Sequence, residues 1–331
     1  MKRIGLLGAG RIGKVHAAAI SAHKGSELVA VADAFEKAAN DLATEYQIEA
    51  RSVDAVLRDN SIDAVLIATS TDTHSDLIEA AVDAGKAVLC EKPVDLDLTR
   101  ARTCLTHVQK SGQPVMVGFN RRFDPNFAAL KTALDAGEIG KAEMLTLTSF
   151  DPAPPPVNYI KVSGGIFRDM MIHDLDMAHF LMGEKPTSIS AHGACLVDDA
   201  IGDAGDVDTA VATLSYEDGR IAVIKNSRRA AYGYDQRIEL LGTNGLLEAE
   251  NMLENTVVKS TADGVVSAKP EHFFLERYMR AYQIEWDAFV SALNSGGPMP
   301  AKLEDGVTAL AMAEAATQSN QLGVPVKLAD V

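Results

Sequence analysis

Short apolar runs alternate with amphipathic stretches over the first 120 residues. The runs are RIGLLG (3–8), LVAVAD (28–33), DAVLIAT (63–69), AVLCEKP (87–93) and PVMVGF (114–119). Each is rich in Val, Ile, Leu or Ala, the pattern of strands buried on both faces of a parallel sheet. Helical periodicity fills intervals between them. IGKVHAAAISAH (12–23) is one such segment. THSDLIEAAVDAG (73–85) is another, with Thr73 or Ser75 as N-cap and Gly85 as the stop. The alternation predicts right-handed βαβ units in an α/β domain built on a doubly wound parallel sheet, which we assign to residues 1–120.

The pattern changes after about residue 140. MLTLTSF (144–150) reads as a strand and the proline cluster DPAPPP (151–156) as a loop. GGIFRDMMIHDLDMAHFLMG (164–183) has helical periodicity. Strand-like runs follow without intervening helices: SISAHGACL (188–196), DTAVATLSY (208–216), RIAVIKNSR (220–228) and QRIELLGT (236–243). Glu217-Asp218-Gly219 reads as a hairpin turn between two of them. Two helices close the chain, roughly 275–294 and 304–321. Residues 121–331 are therefore expected to form an α+β domain with a large, mostly antiparallel open sheet, the C-terminal helix packing back on the first domain.

A length of 331 residues suits two domains of roughly 100–200 residues. The 31 basic and 46 acidic residues give a net charge of -15. Such a chain repels nucleic acid and anionic membranes, and neither is an expected partner. No apolar run approaches the roughly 20 residues of a membrane helix. Met1-Lys2-Arg3 before an apolar run suggests a signal peptide, but glycines and Arg11 interrupt the run, so none is expected. Cys90, Cys104 and Cys195 lack the paired spacing of a zinc site or disulfide framework, which points to a reducing, cytoplasmic setting.

GAGRIG places Gly8, Gly10 and Gly13 in G-x-G-x-x-G spacing, after a strand pattern and at the start of a helix. Gly8 permits the tight turn, Gly10 a close approach to a pyrophosphate, and Gly13 close packing of helix on strand. Arg11 and Ile12 complete the loop, and the helix N-terminus offers N–H groups to phosphate. Asp33 ends the second strand, 20 residues beyond Gly13. It can accept from the ribose hydroxyls of NAD and repel the 2′-phosphate of NADP. Ala34 and Phe35 follow, with no Arg or Lys for that phosphate. NAD is the expected cofactor. Ser70, Thr71 and His74 at one strand end, and Glu91 and Lys92 at the next, are further cofactor contacts by position.

Lys92, where a strand leaves the sheet, either stabilises a developing alkoxide or is simply a solvated lysine. Asp169, His173 and Asp176 fall at i, i+4 and i+7 of the helical stretch. Met171, Leu175, Ala178 and Met182 form a second, apolar stripe at the same period. The polar stripe is either a general base held by a carboxylate or a solvent-facing face of mixed charge. His173 and His179 are six apart and share no face, so no metal site is expected. Asp174 and His179 default to surface or interface roles. In GFNRRFDP (118–125), Arg121 and Arg122 offer bidentate donors to a substrate, or one of them is structural.

GAGRIG, EKP, GFNRRFDP, GGIFRDMMIHDLDMAHFL and NSRRAAYGYDQRIELLG together resemble the Gfo/Idh/MocA oxidoreductases, most closely their inositol 2-dehydrogenase branch. The resemblance runs nearly the whole length, including ERYMRAYQIEWDAF near the end. It implies Lys92, Asp169 and His173 as catalytic residues. Arg122, Asp176 and a tyrosine of AAYGY, Tyr232 in preference to Tyr234, match substrate contacts, together with the catalytic three. It also implies NAD-dependent oxidation of myo-inositol to 2-keto-myo-inositol, and a homotetramer assembled through the open sheet. A scyllo-inositol or aldose dehydrogenase of the same scaffold and a non-catalytic sugar- or NAD-sensing regulator are the alternatives.

Overall fold

The early apolar runs form one sheet. The structure is a computed structural model describing residues 1–331. Strands β1 (Lys2–Leu7), β2 (Ser26–Ala32), β3 (Glu49–Ala50), β4 (Ala64–Ile67), β5 (Ala87–Glu91) and β6 (Val115–Gly118) lie in the order β3-β2-β1-β4-β5-β6. All neighbours are parallel. This is the strand order of dinucleotide-binding folds, and the order reverses between β1 and β4, which opens a crevice at their carboxyl ends. Helices α1 (Arg11–Ala22), α2 (Glu36–Tyr46), α3 (Val53–Arg58), α4 (His74–Asp83) and α5 (Leu98–Ser111) connect the strands. Every residue of β4 is fully buried, as its unbroken apolar run requires.

The remainder forms a second unit. Helices α6 (Pro125–Asp135), α7 (Val157–Ser163), α8 (Gly165–Asp169), α9 (Met171–Met182) and α10 (Asp199–Asp203) accompany a seven-stranded sheet. Its strands are β7 (Ala142–Phe150), β8 (Ser188–Ala194), β9 (Thr209–Ser215), β10 (Ile221–Ser227), β11 (Asp235–Gly242) and β12 (Gly245–Ala249), completed by a C-terminal strand at Val326–Lys327 beside β8. Only β7 and β10 pair in parallel; the other pairs are antiparallel. Two further short strands, β13 (Val258–Thr261) and β14 (Gly264–Ser267), make a separate exposed hairpin. Burial alternates along β9, β10 and β11, so one face is packed and the other open.

Two long helices, α11 (Phe274–Ser295) and α12 (Leu303–Leu322), close the chain. By contact, residues 1–123 and 280–310 form the first unit and residues 124–279 and 311–331 the second. Trp286 of α11 is fully buried and donates to Ser26 Oγ at 2.9 Å. Ala301 and Lys302 pair with the outer edge of β6, Val117 N donating to Ala301 O at 3.0 Å. No helix is long and apolar enough to cross a membrane.

Two local expectations change. The helix expected over 73–85 opens with a 3-10 turn at Thr71–Thr73, and α4 starts at His74 without a side-chain cap. Thr73 Oγ1 instead donates to Ser70 O, and Ser75 Oγ donates to Val94 O. The single helix expected over 164–183 is two helices, α8 and α9, divided at Met170. Two glycines with positive φ stand at the start of α8, Gly164 just before it at 85° and Gly165 as its first residue at 81°.

Asp124 is completely buried. It caps α6 by accepting from Asn126 N (3.1 Å) and Phe127 N (3.3 Å), and it pairs with the buried Arg277 guanidinium, whose Nη2 lies 3.1 Å away. Asp124→Ala leaves that guanidinium buried and unpaired, at an expected cost of about 3–5 kcal/mol. Thermal melting should show a clear fall in midpoint, with Asp124→Asn in between. An unchanged midpoint in the alanine variant would show that the pair contributes nothing.

Candidate active site

Three strand ends meet at the glycine loop. Gly8 has φ +105°, and a Cβ there would lie 2.3 Å from Ala68 O beyond the end of β4. A Cβ on Gly13 would lie 2.0 Å from Gly8 O. Both positions exclude a side chain, whereas a Cβ on Gly10 would meet nothing within 4 Å. The open side of Gly10 and the acid-free first turn of α1 suit a bound pyrophosphate. Arg11 is exposed and Ile12 half-buried at this helix start.

Asp33 braces the loop from the end of β2. Its Oδ2 accepts from Ala9 N at 2.6 Å and its Oδ1 from Phe35 N at 2.8 Å. Each carboxylate oxygen keeps a second lone pair for a ribose hydroxyl. The residues present therefore fit NAD.

Ser70 is exposed and Thr71 half-buried beyond β4. His74 is different: it is only 1% exposed, and its ring approaches Pro93 O (2.8 Å) and Thr69 O (3.2 Å). Burial holds its imidazole below the ordinary value, and the two carbonyls only partly oppose this. A neutral ring has one N–H, which serves the closer Pro93 carbonyl. His74 thus ties the loops after β4 and β5 together.

Glu91 and Lys92 end β5, both half-buried, and the Lys92–Pro93 peptide is cis. Arg121 and Arg122 are both buried. Arg122 Nη1 donates to Pro300 O (3.1 Å) and Asp305 Oδ2 (3.0 Å), and its guanidinium lies over Phe119. Those bonds bind the loop after β6 to the start of α12.

In the second unit, Met171, Leu175, Ala178 and Met182 are buried, as the apolar stripe requires. Asp169 ends α8 and His173 sits in the first turn of α9, both half-buried. Asp169 is gripped on both oxygens. Tyr159 Oη donates to Oδ1 at 2.9 Å, and Arg228 Nη2 lies 3.5 Å from Oδ2. Arg228 is itself buried and also lies 3.8 Å from Asp206, which accepts from Ile166 N at the start of α8. Tyr159, Asp206 and Arg228 escaped the sequence reading. They come from three separate segments, and no spacing signal links them.

Asp174 does not take the surface role assigned by default. It is 1% exposed and accepts from Ser149 Oγ (2.6 Å) and Asn226 Nδ2 (2.8 Å), fastening α9 to β7 and β10. Its place three residues after Met171 and four before Ala178 is a legible signal, because that spacing lies on the apolar face. Asp176 is also 1% exposed. His179 stays partly exposed, with Nδ1 3.3 Å from Glu184 O.

The two tyrosines separate clearly. Tyr234 is buried edge-on against Phe273 and Tyr278. Tyr232 is 51% exposed and donates to Asp235 Oδ2 at 2.5 Å. Desolvation, then the Asp235 hydrogen bond, push its phenol up to about 12.

Asp33→Ser should raise NADP use relative to NAD by about tenfold, equivalent to roughly 1.4 kcal/mol of relieved repulsion. Steady-state kinetics with both cofactors measures the ratio. A ratio that does not rise removes Asp33 as the discriminator.

Two family models match successive parts of the chain. Residues 2–119 match an oxidoreductase family with an NAD-binding Rossmann fold, and residues 127–248 match the GFO/IDH/MocA C-terminal domain. The chain is 53% identical to an inositol 2-dehydrogenase of Rhizobium meliloti (strain 1021), over 96% of each. It superposes on a myo-inositol dehydrogenase of Corynebacterium glutamicum ATCC 13032 with a TM-score of 0.95 and 44% identity, over 99% of both chains. A myo-inositol dehydrogenase of Lactobacillus casei, solved in complex with NAD(H) and myo-inositol, superposes with a TM-score of 0.88 at 25% identity, covering 99% of this chain and 96% of that one. With both halves matched in order and the likeness sustained along the chain, the protein belongs to the Gfo/Idh/MocA family of NAD-binding oxidoreductases.

Proposed function

We propose that the protein oxidises myo-inositol at its axial hydroxyl to 2-keto-myo-inositol with NAD. The observation that carries this reading is the 53% identity, over 96% of both chains, with an inositol 2-dehydrogenase. When bound, NAD accepts the carbinol hydride at C4 of its nicotinamide. His173 takes the hydroxyl proton as general base. Asp169 orients and supports that imidazole, and its own carboxylate is held by Tyr159 and Arg228. Lys92 stabilises the developing alkoxide. Arg122, Asp176 and Tyr232 bind substrate hydroxyls. Tyr232, half-exposed and with its phenol anchored to Asp235, is better supported in that role than the packed Tyr234.

The protein works in the cytoplasm as a homotetramer joined through the open sheet face. The three cysteines are all free, in keeping with a reducing compartment. A cross-strand row supports the assembly. Leu246 pairs with Leu241, Leu241 with Met144, and Met144 with Ile221, which puts all four on one face. All four are exposed. Such a continuous apolar row on an otherwise acidic chain is suited to a partner surface.

Reduction of NAD in the presence of myo-inositol, scyllo-inositol and hexoses tests the main reading. Turnover is expected with myo-inositol; none on any polyol would sink it. His173→Ala should lower kcat by about 10²–10⁴-fold while leaving NAD affinity nearly unchanged. An unaltered kcat would remove His173 as the base. Ile221→Lys should shift the protein to smaller species in light scattering. A tetramer that persists would move the interface elsewhere.

A further inference from the structure

Tyr232 stands in a loop that is pinned at several points. The loop leaves β10 at Arg228, which contacts Asp169, and rejoins the sheet at Asp235, the first residue of β11. Within it Ala230 N donates to Asp151 O at 2.7 Å, Gly233 N to Ala230 O at 3.1 Å and Tyr234 N to Glu271 O at 3.0 Å. A held backbone thus presents a side chain that stays half-exposed.

The group behind the phenol decides what it can do. Asp235 is 2% exposed, and Arg237 grips both of its oxygens, Nε donating to Oδ1 at 2.8 Å and Nη2 to Oδ2 at 2.9 Å. A carboxylate held at two points by a guanidinium is ionised and only accepts. The 2.5 Å bond between Tyr232 Oη and Asp235 Oδ2 therefore uses the phenol's proton. That proton stays on the phenol at neutral pH, because desolvation and this hydrogen bond push the group up to about 12. A tyrosine has one O–H, so Tyr232 Oη is left with lone pairs alone. Donation to a carboxylate also polarises the phenol oxygen and strengthens it as an acceptor.

We propose that Tyr232 reads its part of the substrate as an acceptor, with Asp235 and Arg237 as positioning residues that fix the direction of the hydrogen bond. The group that meets Tyr232 is then a donor, a free hydroxyl of the polyol ring. Groups that only accept, such as an ether oxygen, a fluorine or a carboxylate, are disfavoured at that ring position. The string runs from substrate O–H to Tyr232 Oη, from Tyr232 O–H to Asp235, and from Arg237 to Asp235. Water can replace a lost partner at a half-exposed phenol, so the discrimination is about tenfold rather than the far larger ratio of a sealed site. The inference rests on the substrate contact proposed for Tyr232 and is independent of which ring carbon is oxidised.

Steady-state kinetics with ring analogues tests it. Deoxyfluoro-inositols replace one hydroxyl by fluorine; mono-O-methyl-inositols cap one hydroxyl but keep its oxygen as an acceptor. Tyr232→Phe should raise KM for myo-inositol by about tenfold, with less effect on kcat. At one ring position other than the reacting carbon, fluorine should cost the parent about tenfold in kcat/KM, and with the fluoro and methyl analogues of that position Tyr232→Phe should bring no further loss. Asp235→Val removes the acceptor behind the phenol and frees its O–H to donate. It should narrow the ratio of kcat/KM between myo-inositol and that methyl ether, a ratio that does not depend on how much of the variant is folded. An unchanged KM for myo-inositol in Tyr232→Phe would remove the contact and the proposal with it, while turnover by the parent would leave the proposed function standing. An equal loss from Tyr232→Phe with every analogue would mean that the ring packs on the substrate without a hydrogen bond. A methyl ether that still loses from Tyr232→Phe, or a ratio unmoved by Asp235→Val, would overturn the direction assigned to the bond.

Discussion

Between β1 and α1 the backbone turns in a space that excludes side chains, and the cofactor site depends on that crowding. Gly8 lies against the backbone beyond β4, and Gly13 lies against Gly8 itself. Asp33, at the end of β2, accepts from the amide of Ala9. Three strand ends are thereby set against one helix N-terminus. Gly10, the residue just before α1, leaves open space beside that helix N-terminus. A methyl group at Gly8 or Gly13 would meet backbone rather than a movable side chain, so the loop has little room to adjust.

The second unit follows a different constraint, the need of buried charge for partners. The stretch 164–183 carries six ionisable groups, and the fold uses several of them to build. Asp174 fastens α9 to the sheet through Ser149 and Asn226. Arg168 pairs with Glu314 of α12. Asp169 is held from two sides by Tyr159 and Arg228, and Arg228 is in turn balanced by Asp206. In the proposed mechanism this scaffolding serves His173, whose usefulness as a base depends on how firmly its carboxylate neighbour is oriented.

The elements legible in the sequence are those whose period is set by burial. β4 is buried on both faces and reads as an unbroken apolar run; β9, β10 and β11 are buried on one face and alternate. The closing helices lie within a residue or so of their expected bounds, 274–295 and 303–322. Boundaries set by polar side chains were harder to see. Met170 divides a helix whose apolar period continues across it, and Thr73 sits at a helix start yet spends its hydroxyl on Ser70. The glycine loop was legible because its spacing is local. The surroundings of Asp169, Glu91 and His74 were not, because Arg228, His16 and Pro93 reach them from distant points in the chain.

In the proposed reaction a hydride leaves the axial carbinol carbon of myo-inositol for NAD. Myo-inositol deuterated at that carbon tests it directly, with mass spectrometry of the reduced cofactor after turnover. The reduced nicotinamide should carry the deuterium, and the product should be the cyclic ketone at the same carbon. Reduced cofactor without deuterium, or deuterium retained in the product, would contradict it.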